Sequence, residues 1–210
     1  MNKITLIVLV LLAGGAGCWF FGGSGPKELA NYPPTATGEW IAFGDSLTEG
    51  YGAARGEDYP SVLTRLTGIK VKNLGISGNT TQNGLGRLED AAKLKPKVVL
   101  LCLGGNDTLR QIPAEVTFSN LGKMIDRFHR AGSFVVLIGV QSASLLRDKN
   151  EKHFEKLAAE KKVLFLENIL DGIIFNRELM SDRIHPNAAG YEKIAQRFAE
   201  ELAEYLPVLR

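Results

Sequence analysis

Short apolar runs alternate with stretches of helical periodicity along most of the chain, and that alternation narrows the fold more than any other feature. Trp40 to Phe43, Ile69 to Gly75, Lys97 to Leu103, Phe134 to Ile138 and Val163 to Leu166 each read as a strand. Trp40 to Phe43 can pack on both faces, as a central parallel strand must. Between the strands, Tyr59-Pro60 opens a helix carrying Val62, Leu63 and Leu66, and Leu85, Leu88, Ala91 and Ala92 mark the apolar side of the next. A further helix, capped by Thr117, repeats Leu121, Met124, Ile125 and Phe128 and stops at Gly132. Lys149 to Lys161 is a mostly polar helix with Phe154, Leu157 and Ala158 as its core side. The last helix begins at Pro186, a favoured first-turn residue, and sets Tyr191, Ile194, Ala195, Phe198 and Leu202 along one side. This order predicts an α/β fold, a parallel sheet covered on both faces.

At 210 residues, the length suits one domain with an N-terminal appendage. A net charge of +2 gives no argument for nucleic acid or an anionic surface as partner. Residues 1–21 read as an export signal, lipoprotein signal or membrane anchor: Lys3 supplies a positive charge, and Ile4 to Phe21 carries none. Three readings stay open. Cys18 is lipidated after Gly15-Ala16-Gly17, or Trp19, Phe20 and Phe21 sit at a membrane interface as an uncleaved anchor, or the segment is simply removed. Each exports the folded part to the periplasmic side, and the first two tether it to the membrane. Residues 22–38, with Pro33-Pro34, read as a linker, and 39–210 as the domain. Cys102, inside an apolar run, reads as a buried, inert thiol that does not pair with Cys18. With three histidines and no paired cysteines, no metal-ligand cluster is visible.

The polar signals fall at the strand ends. Ser46 follows the first strand, Gly78 and Asn79 the second, Asn106 and Asp107 the third, and Asp182 to His185 precede the last helix. In an open parallel sheet these positions converge at one carboxyl edge. A serine hydroxyl is a weak nucleophile until a base takes its proton. His185 supplies an imidazole that titrates near neutrality, and Asp182, three residues earlier, can orient it. The Ser46 and Gly78 backbone N–H groups and the Asn106 amide are candidate donors to an oxyanion. Each signal has a plainer reading. Gly44-Asp45-Ser46 is a common turn, Asp182 and His185 can form a helix-start cap, and Asn106-Asp107 can be turn residues. Their order, each at an element boundary, favours catalysis.

Gly44-Asp45-Ser46-Leu47, Gly78, Gly104-Gly105-Asn106-Asp107 and Asp182-Arg183-Ile184-His185-Pro186 together resemble the SGNH or GDSL hydrolase family from about Trp40 to the C-terminus. Ile76-Ser77-Gly78-Asn79-Thr80-Thr81 looks most like its arylesterase, acyl-CoA thioesterase and lysophospholipase branch. The resemblance implies a three-layer, flavodoxin-like sandwich with a five-stranded parallel sheet. It also implies a Ser46–His185–Asp182 triad, an oxyanion hole of Ser46, Gly78 and Asn106, and no metal or other cofactor. The implied substrate is a small-molecule or lipid acyl ester or thioester. A carbohydrate O-acetyl esterase is the alternative enzyme, and a tethered, non-catalytic ligand-binding module the alternative outside enzymes. The loops Leu109 to Thr117 and Gln141 to Asn150 are expected to line the entrance, with Leu109, Ile112, Pro113, Leu145 and Leu146 offering apolar contact.

Overall fold

A computed structural model describes residues 28–140 and 149–210. The expected leader with Cys18, the linker before Glu28, and Leu145 and Leu146 lie outside the described residues. In chain order the elements are β1 (Trp40–Gly44), α1 (Ser46–Glu49), α2 (Tyr59–Thr67), β2 (Val71–Gly75), α3 (Thr81–Gly86), α4 (Leu88–Lys93) and β3 (Val98–Cys102). There follow α5 (Gly105–Leu109), α6 (Ala114–Arg130), β4 (Phe134–Ile138), α7 (Lys149–Lys161), β5 (Leu164–Leu166), α8 (Ala188–Leu202) and α9 (Leu206–Leu209).

The strands form one five-stranded sheet in the order β2-β1-β3-β4-β5, every pair parallel. Alternate residues of each strand face opposite layers, so a wholly apolar strand feeds two cores at once. On one side Trp40, Ala42, Leu100, Cys102 and Val136 pack with Tyr59 and Leu63 of α2 and with Tyr191, Ile194 and Phe198 of α8. On the other, Ile41, Phe43, Val99, Leu101 and Leu137 meet Ala91 of α4, Leu121 and Phe128 of α6, and Phe154 of α7. Phe43 and Phe128 meet edge to face at 5.8 Å, a geometry worth ~0.5–1.5 kcal/mol beyond the burial of the two rings. Together the layers make the three-layer α/β sandwich expected.

Four local expectations are corrected. The helix expected through Leu85 and Ala92 is two, α3 and α4, because Arg87 leaves helical geometry (φ −118°, ψ 8°) and turns inward. Thr117 does not cap α6. It lies inside the helix, and its hydroxyl reaches Asp107 Oδ1 at 3.3 Å. The cap of α8 is Asn187, whose side chain accepts from Gly190 N–H at 3.1 Å, and Pro186 precedes the helix. Leu66 is exposed rather than core.

The described part of the expected linker is docked on the domain. Ala36 is buried, Leu29 packs on the core, and Asn31 Nδ2 donates to the carbonyls of His129 and Ser133 at 2.9 and 3.0 Å. Residues 28–38 therefore belong to the folded unit.

Candidate active site

β1 is flanked by β2 and β3, so the chain changes direction along the sheet at its carboxyl end. That switch point opens a crevice between the loops that follow the strands. Ser46 leaves β1 there as the first residue of α1, whose start is fixed by Asp45 Oδ1 accepting from Leu47 N–H at 3.1 Å. The short helix is held from below by the buried Tyr59 hydroxyl, 3.2 Å from Thr48 Oγ1. From the side, Tyr191 donates its hydroxyl to the Tyr51 carbonyl at 2.9 Å.

Ser46 Oγ lies 3.0 Å from His185 Nε2, and His185 Nδ1 lies 2.8 Å from Asp182 Oδ2. The second Asp182 oxygen accepts from the backbone N–H groups of Ile184 and His185, both at 2.8 Å. Partial burial pushes the Asp182 carboxyl up. The His185 ring and the two backbone donors outweigh that push and hold it below its usual range. The aspartate thus stays ionised and fixes Nδ1 as the protonated ring nitrogen, leaving Nε2 free to accept the serine proton. Tyr51 lies against the imidazole with ring centroids 4.5 Å apart, restricting its tilt.

Gly78 sits in a tight turn closed by Asn79 N–H donating to the Ile76 carbonyl at 3.1 Å. Its φ of +78° falls in the left-handed region, which a side chain would strain. The Gly78 N–H has no protein acceptor among the described residues. Asn106 Nδ2 donates to the Asn79 carbonyl at 3.1 Å and, at a longer 3.3 Å, to Asp45 Oδ2. Asp45 is almost fully buried, and burial pushes its carboxyl up to about 6 against the bonds from Leu47 N–H and Asn106. Asp107 faces away from the crevice. It is buried and accepts from Thr81 N–H and Oγ1, tying α5 to the start of α3, and so it shapes the loop.

These groups floor a cleft of about 240 Å³ whose walls are mainly aliphatic: Leu47, Leu109, Val140, Leu170, Ile174 and Ile184. Of the expected entrance residues that the structure describes, Leu109 lines the cleft. Ile112 instead lines a separate cavity of about 190 Å³ beside Gly104 and Phe154. Tyr51, Leu170 and Ile174 were not expected. The signal for the last two was the apolar cluster Ile169-Leu170 and Ile173-Ile174, which belongs to no strand or helix. Cys102 is fully buried, and burial pushes its thiol well up, in keeping with an inert core residue.

A family model described as the GDSL-like Lipase/Acylhydrolase family matches residues 42–193, a span containing Ser46, Gly78, Asn106, Asp182 and His185. The chain is 33% identical over 182 residues to an arylesterase of Vibrio mimicus, covering 81% of this chain and 91% of that protein. It is 31% identical over 182 residues to thioesterase 1/protease 1/lysophospholipase L1 of Escherichia coli (strain K12), covering 83% of this chain and 88% of that protein. A crystal structure of TesA superposes with a TM-score of 0.74 at 26% identity, covering 81% of this chain and 99% of that one.

Proposed function

The chain belongs to the GDSL-like lipase and acylhydrolase family, the SGNH hydrolases, and from that premise we propose that Ser46, His185 and Asp182 carry out its ester-bond hydrolysis. The observation that carries the assignment is the unbroken line from Ser46 Oγ through the His185 ring to Asp182, with contacts of 3.0 and 2.8 Å. Ser46 Oγ attacks the acyl carbon as its proton passes to His185 Nε2. The resulting oxyanion takes hydrogen bonds from the Ser46 and Gly78 N–H groups. It also replaces Asp45 as the acceptor of the longer Asn106 bond. The tetrahedral intermediate then expels the alcohol or thiol, which leaves with the proton from His185, and the acyl group stays on Ser46. Water, deprotonated by the same imidazole, attacks the acyl-serine, and the carboxylic acid leaves as Ser46 recovers its proton.

For the substrate, the reading is a short or medium acyl ester or thioester, the acyl chain lying along Leu109, Leu170 and Ile174. The names of the relatives, an arylesterase and a thioesterase/lysophospholipase, support it. Aliphatic walls favour it over the carbohydrate O-acetyl ester, whose acyl part leaves most of such a surface unused. Rates on p-nitrophenyl esters of two to twelve carbons, beside acyl-CoA and lysophospholipid, test this. Peak kcat/KM at about six to ten carbons is expected, with activity surviving EDTA. A monotonic fall from two carbons would contradict the acyl-groove assignment.

We place the domain outside the cytoplasm and tethered to a membrane, because Lys3 is followed by the uncharged stretch Ile4 to Phe21. Fractionation of cells producing the full chain should find it in the membrane fraction, accessible from the periplasmic side. A cytoplasmic location would exclude this.

A further inference from the structure

Arg87 stands between α3 and α4, where the chain leaves helical geometry and the side chain turns under the sheet edge. Its guanidinium lies 3.9 Å from the centroid of the Phe43 ring and spends its donors on three separate segments. Nη2 donates to the Gly44 carbonyl at 2.7 Å, two residues before Ser46. Nη1 donates to the Leu74 carbonyl at 2.8 Å, at the end of β2 where the Gly78 turn begins. Nε donates to the Asn79 side-chain oxygen at 2.9 Å. Asn79 closes that turn, and its own carbonyl anchors the Asn106 amide.

We infer that Arg87 is a positioning residue for the oxyanion hole: one planar cation sets the Ser46, Gly78 and Asn106 donors relative to one another by gripping β1, β2 and Asn79. It touches no reacting atom. The inference rests on the oxyanion role proposed above for Gly78 and Asn106. The three bonds run in the directions a rigid fork provides, which a lysine ammonium on a flexible stem does not reproduce. The cation–π contact and the sheet-end carbonyls keep the fork from rotating. Misplacing preorganised donors by a fraction of an ångström weakens only the bond that forms in the transition state, so the loss appears in kcat.

The test compares Arg87→Met, Arg87→Lys, Asn79→Ala and Asn106→Ala in the full chain on a p-nitrophenyl ester. Asn106→Ala should lower kcat by about one hundred- to one thousandfold. Arg87→Met and Asn79→Ala should each lower kcat by roughly tenfold or more, with KM within about twofold and lysine failing to rescue. In the Asn106→Ala background, Asn79→Ala should cost clearly less than it does alone, because the amide it helps to place is gone. Asn79→Ala decides the matter if the Arg87 variants do not fold. If Asn106→Ala loses its rate while Asn79→Ala keeps kcat, or the two effects are fully additive, the Arg87 inference is overturned and the oxyanion reading stands. If Asn106→Ala itself keeps kcat, the oxyanion reading is overturned with it.

Discussion

Asp45 is a buried carboxyl one residue from Ser46, and its environment makes a measurable demand on the fold. Burial lifts it from an ordinary 3.8 to about 6. For an acid raised in the folded state, the stabilising contribution is complete below the unfolded value and is lost as pH rises through the folded one. The window is therefore pH 4 to 6, and the shift corresponds to about 3 kcal/mol. Relative to wild type, Asp45→Asn should gain about that much unfolding free energy between pH 4 and 7, read from urea titrations at each pH. Parallel curves would refute a raised Asp45. Ser46, Gly78, Asn106 and His185, which line the cleft, and Asp182, which contacts His185, were legible as candidates because each occupies an element boundary with the residue type the proposed chemistry requires. Tyr51, Leu170 and Ile174 were not, because they reach the cleft through irregular loops, where no periodicity reports which way a side chain points.

α1 and β2 are the elements whose fit places Ser46, and Gly75 is where they touch. A Cβ there would stand 2.1 Å from the Glu49 backbone nitrogen and 2.6 Å from Thr48 C, neither of which is a flexible side-chain end. Gly75→Ala should cost about 1–3 kcal/mol as an overpacked contact, lowering Tm by several degrees. It should also lower kcat, because a shift of α1 that relieves the clash moves Ser46 relative to His185. An unchanged Tm together with an unchanged kcat would show that α1 is not held this way. Strands and long helices were readable because their apolar periodicity is set by the two cores. The break between α3 and α4 was not. Leu85, Leu88, Ala91 and Ala92 continue one helical stripe, and the break coincides with the inward bonds of Arg87, which link residues 8 to 43 positions apart in sequence.

Across the molecule, the order β2-β1-β3 brings loops from three parallel strands to one crevice, and the stretch before α8 closes it with Asp182 and His185. Alternation of strand and helix announced a parallel sheet. Strand order is decided by which way each crossover turns, so no single segment of the sequence reports it. The docked stretch 28–38 was hidden because its composition is that of a linker, while its anchoring bonds lie on residues about a hundred positions away. The arrangement predicts a single activated serine in the whole chain. Treating the full-length protein with a serine-directed alkyl phosphonate and mapping the adduct by peptide mass spectrometry tests that most directly. One adduct on Ser46, formed in step with loss of ester hydrolysis and absent from Ser46→Ala and His185→Ala, is the predicted result. An adduct on another serine, or hydrolysis that persists in Ser46→Ala, would contradict it.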